Sequence, residues 1–209
     1  MIWRPVTTDD ATSPSTTPVV GTAEAIEQAA LEVFYVKGYH GASIRAIAGA
    51  AGIGVATLFH HFPTKAAILD QILHRAVDHM QADLDEAVEG TTDPRERLVL
   101  AVRALVIAHG ERQRESFVAQ SELRSLEPQA AADIRRKRRR VQRVFDDAVA
   151  DGVASGQFDC DRPKDIARAI VSIGTQVATW YHPDGELSVS EMADVHVDMA
   201  LRLVGAATR

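Results

Sequence analysis

Several side chains between residues 43 and 65 are of types that bind phosphates and base edges, among them Arg45, Thr57, His60, His61 and Lys65. A guanidinium can bond a guanine edge through two N–H groups at once, and a hydroxyl can reach a phosphate or a base edge. The stretch that carries them, SIRAIAGAAGIGVATLFHHFPTK, reads as two short helices, a tight turn between them and the start of a third. Ser43 is an N-cap, its hydroxyl accepting an orphan N–H of the first turn. Ile44, Ile47, Ala48 and Ala51 form one apolar face, which leaves Arg45 pointing outward. Gly52 stops this helix. Val55, Leu58, Phe59 and Phe62 form the apolar face of the second helix, Pro63 ends it, and Thr64 caps the next. Gly54, Val55 and Ala56 open the second helix with small side chains, so the backbone can approach a groove and a methyl can meet thymine. Lys65 at a helix N-terminus opposes the macrodipole, so an external anion is expected beside it. Two short helices around a glycine turn make the helix-turn-helix pattern of major-groove binders.

Other chemistry is weaker. The run Arg135 to Arg140 spreads around every face of a helix and reads as mainly solvated. Arg136, Arg140 and Arg143 do share a face, and could bind an anionic ligand such as the phosphates of coenzyme A. His109, Phe117 and Trp180 either line a cavity or fill the core. His74 and Asp78 stand four residues apart, but two ligands make no metal site and a surface pair is expected. The chain holds no Glu-x-x-His pair, no phosphate-cradling glycine loop and no Ser-x-x-Lys pattern. Neither an enzyme on a helical bundle nor a cofactor is therefore expected. A DNA-silent small-molecule-binding helical protein is the nearer alternative.

The elements that position these residues follow from periodicity. A first helix spans about Thr22 to Lys37 on the stripe Ile26, Ala30, Val33 and Phe34, and Gly38 stops it. A long helix from Lys65 to about Val88 carries an apolar stripe for six turns and links the small unit to the rest of the chain. Asp93-Pro94-Arg95-Glu96 starts another, to about His109. A charged turn over 110–115 precedes a helix over about 116–126. Pro128 opens a long helix to about Val153, and Pro163 one that runs to Tyr181. Ser188 and Glu191 form a capping box for the last, ending near Gly205. The last two helices carry apolar residues off their main stripes, among them Ala169, Val171, Val195 and Leu201. Those need a second partner, and another copy of the chain would complete a four-helix bundle about a two-fold axis.

Composition agrees. Only 5% of the 209 residues are aromatic while 46% are hydrophobic, a balance that favours an all-α chain of about nine helices. The net charge of −6 argues against bulk affinity for nucleic acid, so any DNA contact must come from a local patch. The single Cys160 forms no intrachain disulfide, which fits a cytoplasmic location. No stretch is long and apolar enough for a membrane span, and no signal peptide is apparent. Residues 1–21 are expected to be a disordered tail. Residues 22–65 form the helix-turn-helix unit, and 66–209 a ligand-binding and dimerisation domain.

Residues 24–73 closely resemble the TetR-type transcriptional regulators. The pattern AALEVFYVKGYHGASIRAIAGAAGIGVATLFHHFPTKAAIL keeps Gly38, Ser43, Ile47, Ala48, Ala51-Gly52, Thr57-Leu58, His61-Phe62 and Lys65-x-x-x-Leu69 in register. The resemblance implies an all-helical homodimer whose first three helices bind double-stranded DNA. The remaining helices would hold a ligand cavity and the dimer interface. It also implies phosphate contacts by His61 and Lys65, and a Thr in contact at 57. The sequence departs at Phe59, where Tyr is usual, so Phe59 is expected to serve mainly in packing. WYHPDGELSVSEMAD followed by LRLVGA is similar to the C-terminal hallmark of a subgroup linked to lipid, steroid or aromatic-acid catabolism, some of whose members respond to acyl-CoA thioesters. The expected function is a ligand-responsive repressor, bound to a palindromic operator as a homodimer and released when an effector shifts the helix at 65–88.

Overall fold

The computed structural model describes residues 22–206; the tail expected over 1–21 lies outside them. Among the described residues there are nine α-helices and no strand: α1 (Thr22–Gly41), α2 (Ile44–Ala50), α3 (Val55–His61), α4 (Lys65–Val88), α5 (Pro94–Glu111), α6 (Gln113–Ser121), α7 (Pro128–Ala154), α8 (Pro163–Trp180) and α9 (Val189–Leu203). A 3₁₀ turn, Glu122–Ser125, extends α6. None of these helices is long and apolar enough to cross a membrane.

Local chemistry sets the helix starts. Ser43 Oγ accepts from the Ala46 N–H at 3.1 Å, Thr64 Oγ1 from the Ala67 N–H at 3.0 Å, and Asp93 Oδ1 from the Glu96 N–H at 2.8 Å. Each satisfies an orphan donor of a first turn. The Ser188–Glu191 capping box forms in both directions. Helical geometry in α1 breaks at Gly38, whose φ of 66° and ψ of 166° are reached without strain only when Cβ is absent. The chain then makes one further turn before entering α2.

One boundary differs from expectation. The segment 110–115 is not a turn: α5 runs to Glu111, and α6 begins at Gln113, with the break confined to Arg112. Arg112 and Glu115 are partly buried and stand 3.8 Å apart, and Arg112, Arg114 and Glu115 also pair with Asp83, Glu32 and Arg75 of the neighbouring helices, so the segment stays helical where charge alone reads as a solvated loop.

α5 is the axis of the larger unit. It packs against α4, α7, α8 and α9, and its buried residues, Leu98, Ala101, Val102, Leu105, Val106 and Ala108 among them, cover more than one face. A helix apolar on several sides must be enclosed by neighbours. α1, α2 and α3 pack around Ile26, Phe34, Ile47, Leu58 and Phe62, and this cluster runs without interruption through α4 into the core around α5.

Close packing also constrains the end of α7. A Cβ added at Gly152 would lie 2.1 Å from the ring of Phe158, which folds back as a buried side chain. Gly152→Ala is therefore expected to destabilise the fold by about 1–3 kcal/mol through overpacking. Thermal denaturation would read this as a melting point lowered by several degrees.

Candidate nucleic-acid interface and effector cavity

α2 and α3 project their polar residues away from the core. Ser43, Arg45, Gly54, Val55, Ala56, Thr57, His60 and His61 are all exposed, on α2, α3 and the residues that cap them. Ile47, Ala48 and Leu58 anchor the two helices from beneath. Gly54 precedes α3 without a side-chain cap, so the backbone N–H groups of that first turn have no side-chain acceptor from this position. The rings of His60 and His61 meet edge to face at 5.4 Å. The face can present a guanidinium, a hydroxyl and two imidazoles to a groove, around small apolar residues.

Two residues differ from the sequence reading. Phe59 is not mainly packing: 47% of it is exposed, on the same helix as Thr57. Lys65 is turned inward. Its Nζ donates to the carbonyls of Tyr39 and Ala42, both at 2.7 Å, and lies 4.3 Å from the centre of the Tyr39 ring. The oxygen atoms that offset its unfavourable position at the start of α4 come from the turn after α1 and not from an external anion. The same turn is held from the other side, because the Tyr39 N–H donates to Glu122 Oε1 at 3.1 Å.

α6 continues this attachment. Arg114 pairs with Glu32 of α1 at 2.6 Å, and Phe117 meets Tyr35 of α1 edge to face at 5.3 Å. Phe117 thus joins the two units and does not line a cavity. Arg75 of α4 pairs with the buried Glu27 of α1 at 2.8 Å, and Glu115 of α6 stands 3.9 Å from Arg75 and 3.5 Å from His79. Burial raises the pKa of Glu27, and the Arg75 guanidinium counters that shift.

A cavity of about 420 Å³ lies between α4, α5, α6, α7 and α8. Val77, Met80, Leu105, Val141 and Val171 give it apolar walls, and His109, Arg112, Glu115, Gln120, Arg138 and Thr175 supply polar groups. His109 is in the wall, as one sequence reading had it. Its Nδ1 donates to the Leu105 carbonyl at 2.8 Å, and burial pushes its pKa below the usual imidazole range, so the ring is neutral.

The basic run divides in three. Arg136 is exposed and pairs with Asp133 at 2.8 Å, and Arg140 is exposed as well, so neither reaches the cavity. Lys137 pairs with Asp78 of α4 at 2.6 Å. Arg138 is the member in the cavity wall. The signal for it was present in the spacing: Arg138 follows Ile134 by four residues and precedes Val141 by three, which puts it on the buried stripe of α7. His74 pairs with Asp70 at 3.6 Å and not with Asp78. Among the described residues no group of three or more His, Cys, Asp or Glu side chains could hold a metal ion.

Trp180 is also displaced from the cavity reading. It is 47% exposed on the outer face of α8 and stacks on His196 of α9 at 6.3 Å. Ile173, Val195, Met199 and Leu203 are exposed on these same two helices. Ala169 is half-buried and falls on the helical face of Ile173 and Trp180, while Val195 lies on that of Met199. Val171 instead lines the cavity, and Leu201 is rotated away from the exposed stripe of α9. Both depart from the interface expected for them, because a helix of 3.6 residues per turn cannot show every off-stripe position to one partner.

Comparison with known proteins agrees with this geometry. Residues 26–72 match the family model for bacterial regulatory proteins of the tetR family, and residues 91–204 that for the tetracyclin repressor-like C-terminal domain. The transcriptional repressor KstR2 of Mycolicibacterium smegmatis is 27% identical over 176 residues, covering 83% of this chain and 86% of that protein. The crystal structure of a tetR-family regulatory protein from Rhodococcus RHA1 superposes with a TM-score of 0.86 at 30% identity, over 91% of this chain and all of that one. AibR, crystallised with isovaleryl coenzyme A and operator DNA, shares the fold at a TM-score of 0.79 and 23% identity, over 89% of this chain and 100% of its own.

The inward position of Lys65 generates a prediction. Lys65→Met removes two charge-assisted hydrogen bonds worth about 1.5–3 kcal/mol each and should lower the melting temperature measurably. A phosphate-contacting lysine would instead reduce the salt slope of DNA binding by about one. For Lys65→Met that slope, from binding titrations at several salt concentrations, should stay unchanged.

Proposed function

The chain belongs to the tetR family of bacterial regulatory proteins, and on that premise we propose that it is a cytoplasmic, ligand-responsive repressor acting as a homodimer on a palindromic operator. The observation that carries the reading is the double role of α4 and α6. Ala76, Val77 and Met80 of α4 line the cavity, and Lys65 at the start of the same helix grips the turn into α2. Eleven residues separate Lys65 from Ala76, about 17 Å at 1.5 Å per residue. Ser116, Ala119 and Gln120 of α6 face the cavity, while Arg114 and Phe117 hold α1.

A ligand that moves either helix therefore moves the DNA-reading unit as a body. In a dimer the two recognition helices must match half-sites about one helical turn apart, near 34–36 Å, so a small change in their separation lowers affinity. The ligand acts only to the extent that it prefers the DNA-incompetent state. We assign DNA binding to residues 22–65, with Arg45, Thr57, His60 and His61 as contacts and Gly54 to Ala56 at the closest approach. Residues 66–209 take the effector and the second subunit. The exposed apolar residues Ile173, Trp180, Val195, Met199 and Leu203 support α8 and α9 as the dimer face. The effector expected from the C-terminal resemblance is an acyl-CoA thioester, and the ligand in AibR is of that class.

Footprinting on DNA flanking the protein's own gene tests the reading. A protected palindrome supports it, and the absence of any specific site at moderate salt overturns it. On the operator so found, Arg45→Ala and Thr57→Ala should each weaken binding, Arg45→Ala by about 1–3 kcal/mol if it bonds a base edge. Val195→Asp with Met199→Asp should give monomers in sedimentation. Loss of the linked second half-site should then lower operator affinity on the order of 10²-fold or more.

A further inference from the structure

The charges around the cavity do not balance. Arg112, Arg138 and Glu115 are its charged lining residues, and the neutral His109 adds nothing. Arg112 is paired with Asp83 and stands 3.8 Å from Glu115, and Glu115 also faces Arg75 and His79. Arg138 is left over. Its one hydrogen bond, at 2.7 Å, goes to the neutral Ala119 carbonyl, and among the described residues no carboxylate pairs with it. Its principal electrostatic neighbour is another cation, Arg135. A guanidinium has five N–H donors and cannot shed its charge, unlike a buried lysine. A partly buried cation without a counter-ion carries an unoffset desolvation cost, and an anion entering the cavity would relieve it.

Size narrows the anion. A volume near 420 Å³ falls in the lower part of the range of small-molecule sites, which suits a compact ligand. The walls offered by Val77, Met80, Leu105 and Val141 suit a hydrocarbon chain or ring.

We propose that the cavity recognises a compact amphipathic carboxylate, its apolar body against these walls and its carboxylate on Arg138. This rests on the cavity being the effector site and deepens that assignment by naming the ligand's charged group. It departs from the acyl-CoA that the C-terminal resemblance implies: there the acyl group ends in an uncharged thioester, and any anion for Arg138 would have to be a phosphate of the nucleotide.

Calorimetry on the intact protein tests it, using straight-chain acids from butyrate to dodecanoate and 4-alkylbenzoates. The matching primary amides and the CoA thioesters of the same acids serve as comparisons. The best acid should bind at least tenfold more tightly than its amide and its thioester. Arg138→Gln, whose amide retains a donor for Ala119, should remove that preference, and Arg138→Lys should keep part of it. Equal binding of acid and amide, tighter binding of the thioester, or no binding by any acid in the panel would each overturn the proposal. So would undiminished acid binding by Arg138→Gln. Should either variant fail to fold, the acid–amide comparison in the unaltered protein decides. Operator footprinting is independent of all these measurements, so the DNA-binding assignment stands or falls separately.

Discussion

The turn that follows Gly38 is the constraint on which the arrangement depends. The backbone of Tyr39 is held on both sides, its carbonyl by Lys65 of α4 and its N–H by Glu122 at the end of α6. α2 and α3 are seven residues each, too short to persist alone, and their position is inherited from this turn and from the core beneath them. Two elements that border the cavity thus converge on one residue at the entrance to the helix-turn-helix. Coupling between the two regions needs no long path, because the same rigid helices take part in both.

Partly buried charge forms the second layer. Glu27, Arg75, Glu115, Arg112 and Asp83 connect α1, α4, α5 and α6 in a continuous series of ion pairs. Such pairs contribute little net stability once desolvation is counted. Breaking one leaves a charge without compensation, however, so the series favours one relative placement of α1, α4 and α6. Glu115 belongs both to this series and to the cavity wall, so an occupant that disturbs it would be felt at α1. Arg138 lies outside the series, and it alone of the cavity's cations has no carboxylate partner among the described residues.

The helices and most of their limits were legible from residue types. Caps at Ser43, Thr64, Asp93 and Ser188 and apolar stripes at helical spacing are local signals, and local signals survive into the fold. The exposed contact residues of α2 and α3 were legible for the same reason, since short helices on a core have one inner face each. The residues that were misplaced share a different property. Lys65, Arg138 and the charged segment 110–115 are polar groups whose partners lie far along the chain, and polarity by itself reads as exposure. Phe59 and Trp180 are the converse, large apolar side chains that the fold leaves at the surface.

The sequence by itself determined an all-helical chain, the helix-turn-helix and its register, and the family to which both halves belong. These rest on periodicity, capping and motif spacing, all of which act within a few residues. Tertiary structure alone decided that a cavity opens beside Arg138, and that Lys65 serves as a clamp. It also decided which faces of α8 and α9 stay uncovered. Those outcomes depend on how helices are rotated against one another. A rotation of one residue, about 100°, exchanges a solvated charge for a partly buried one, and the packing of the helices against one another sets that angle.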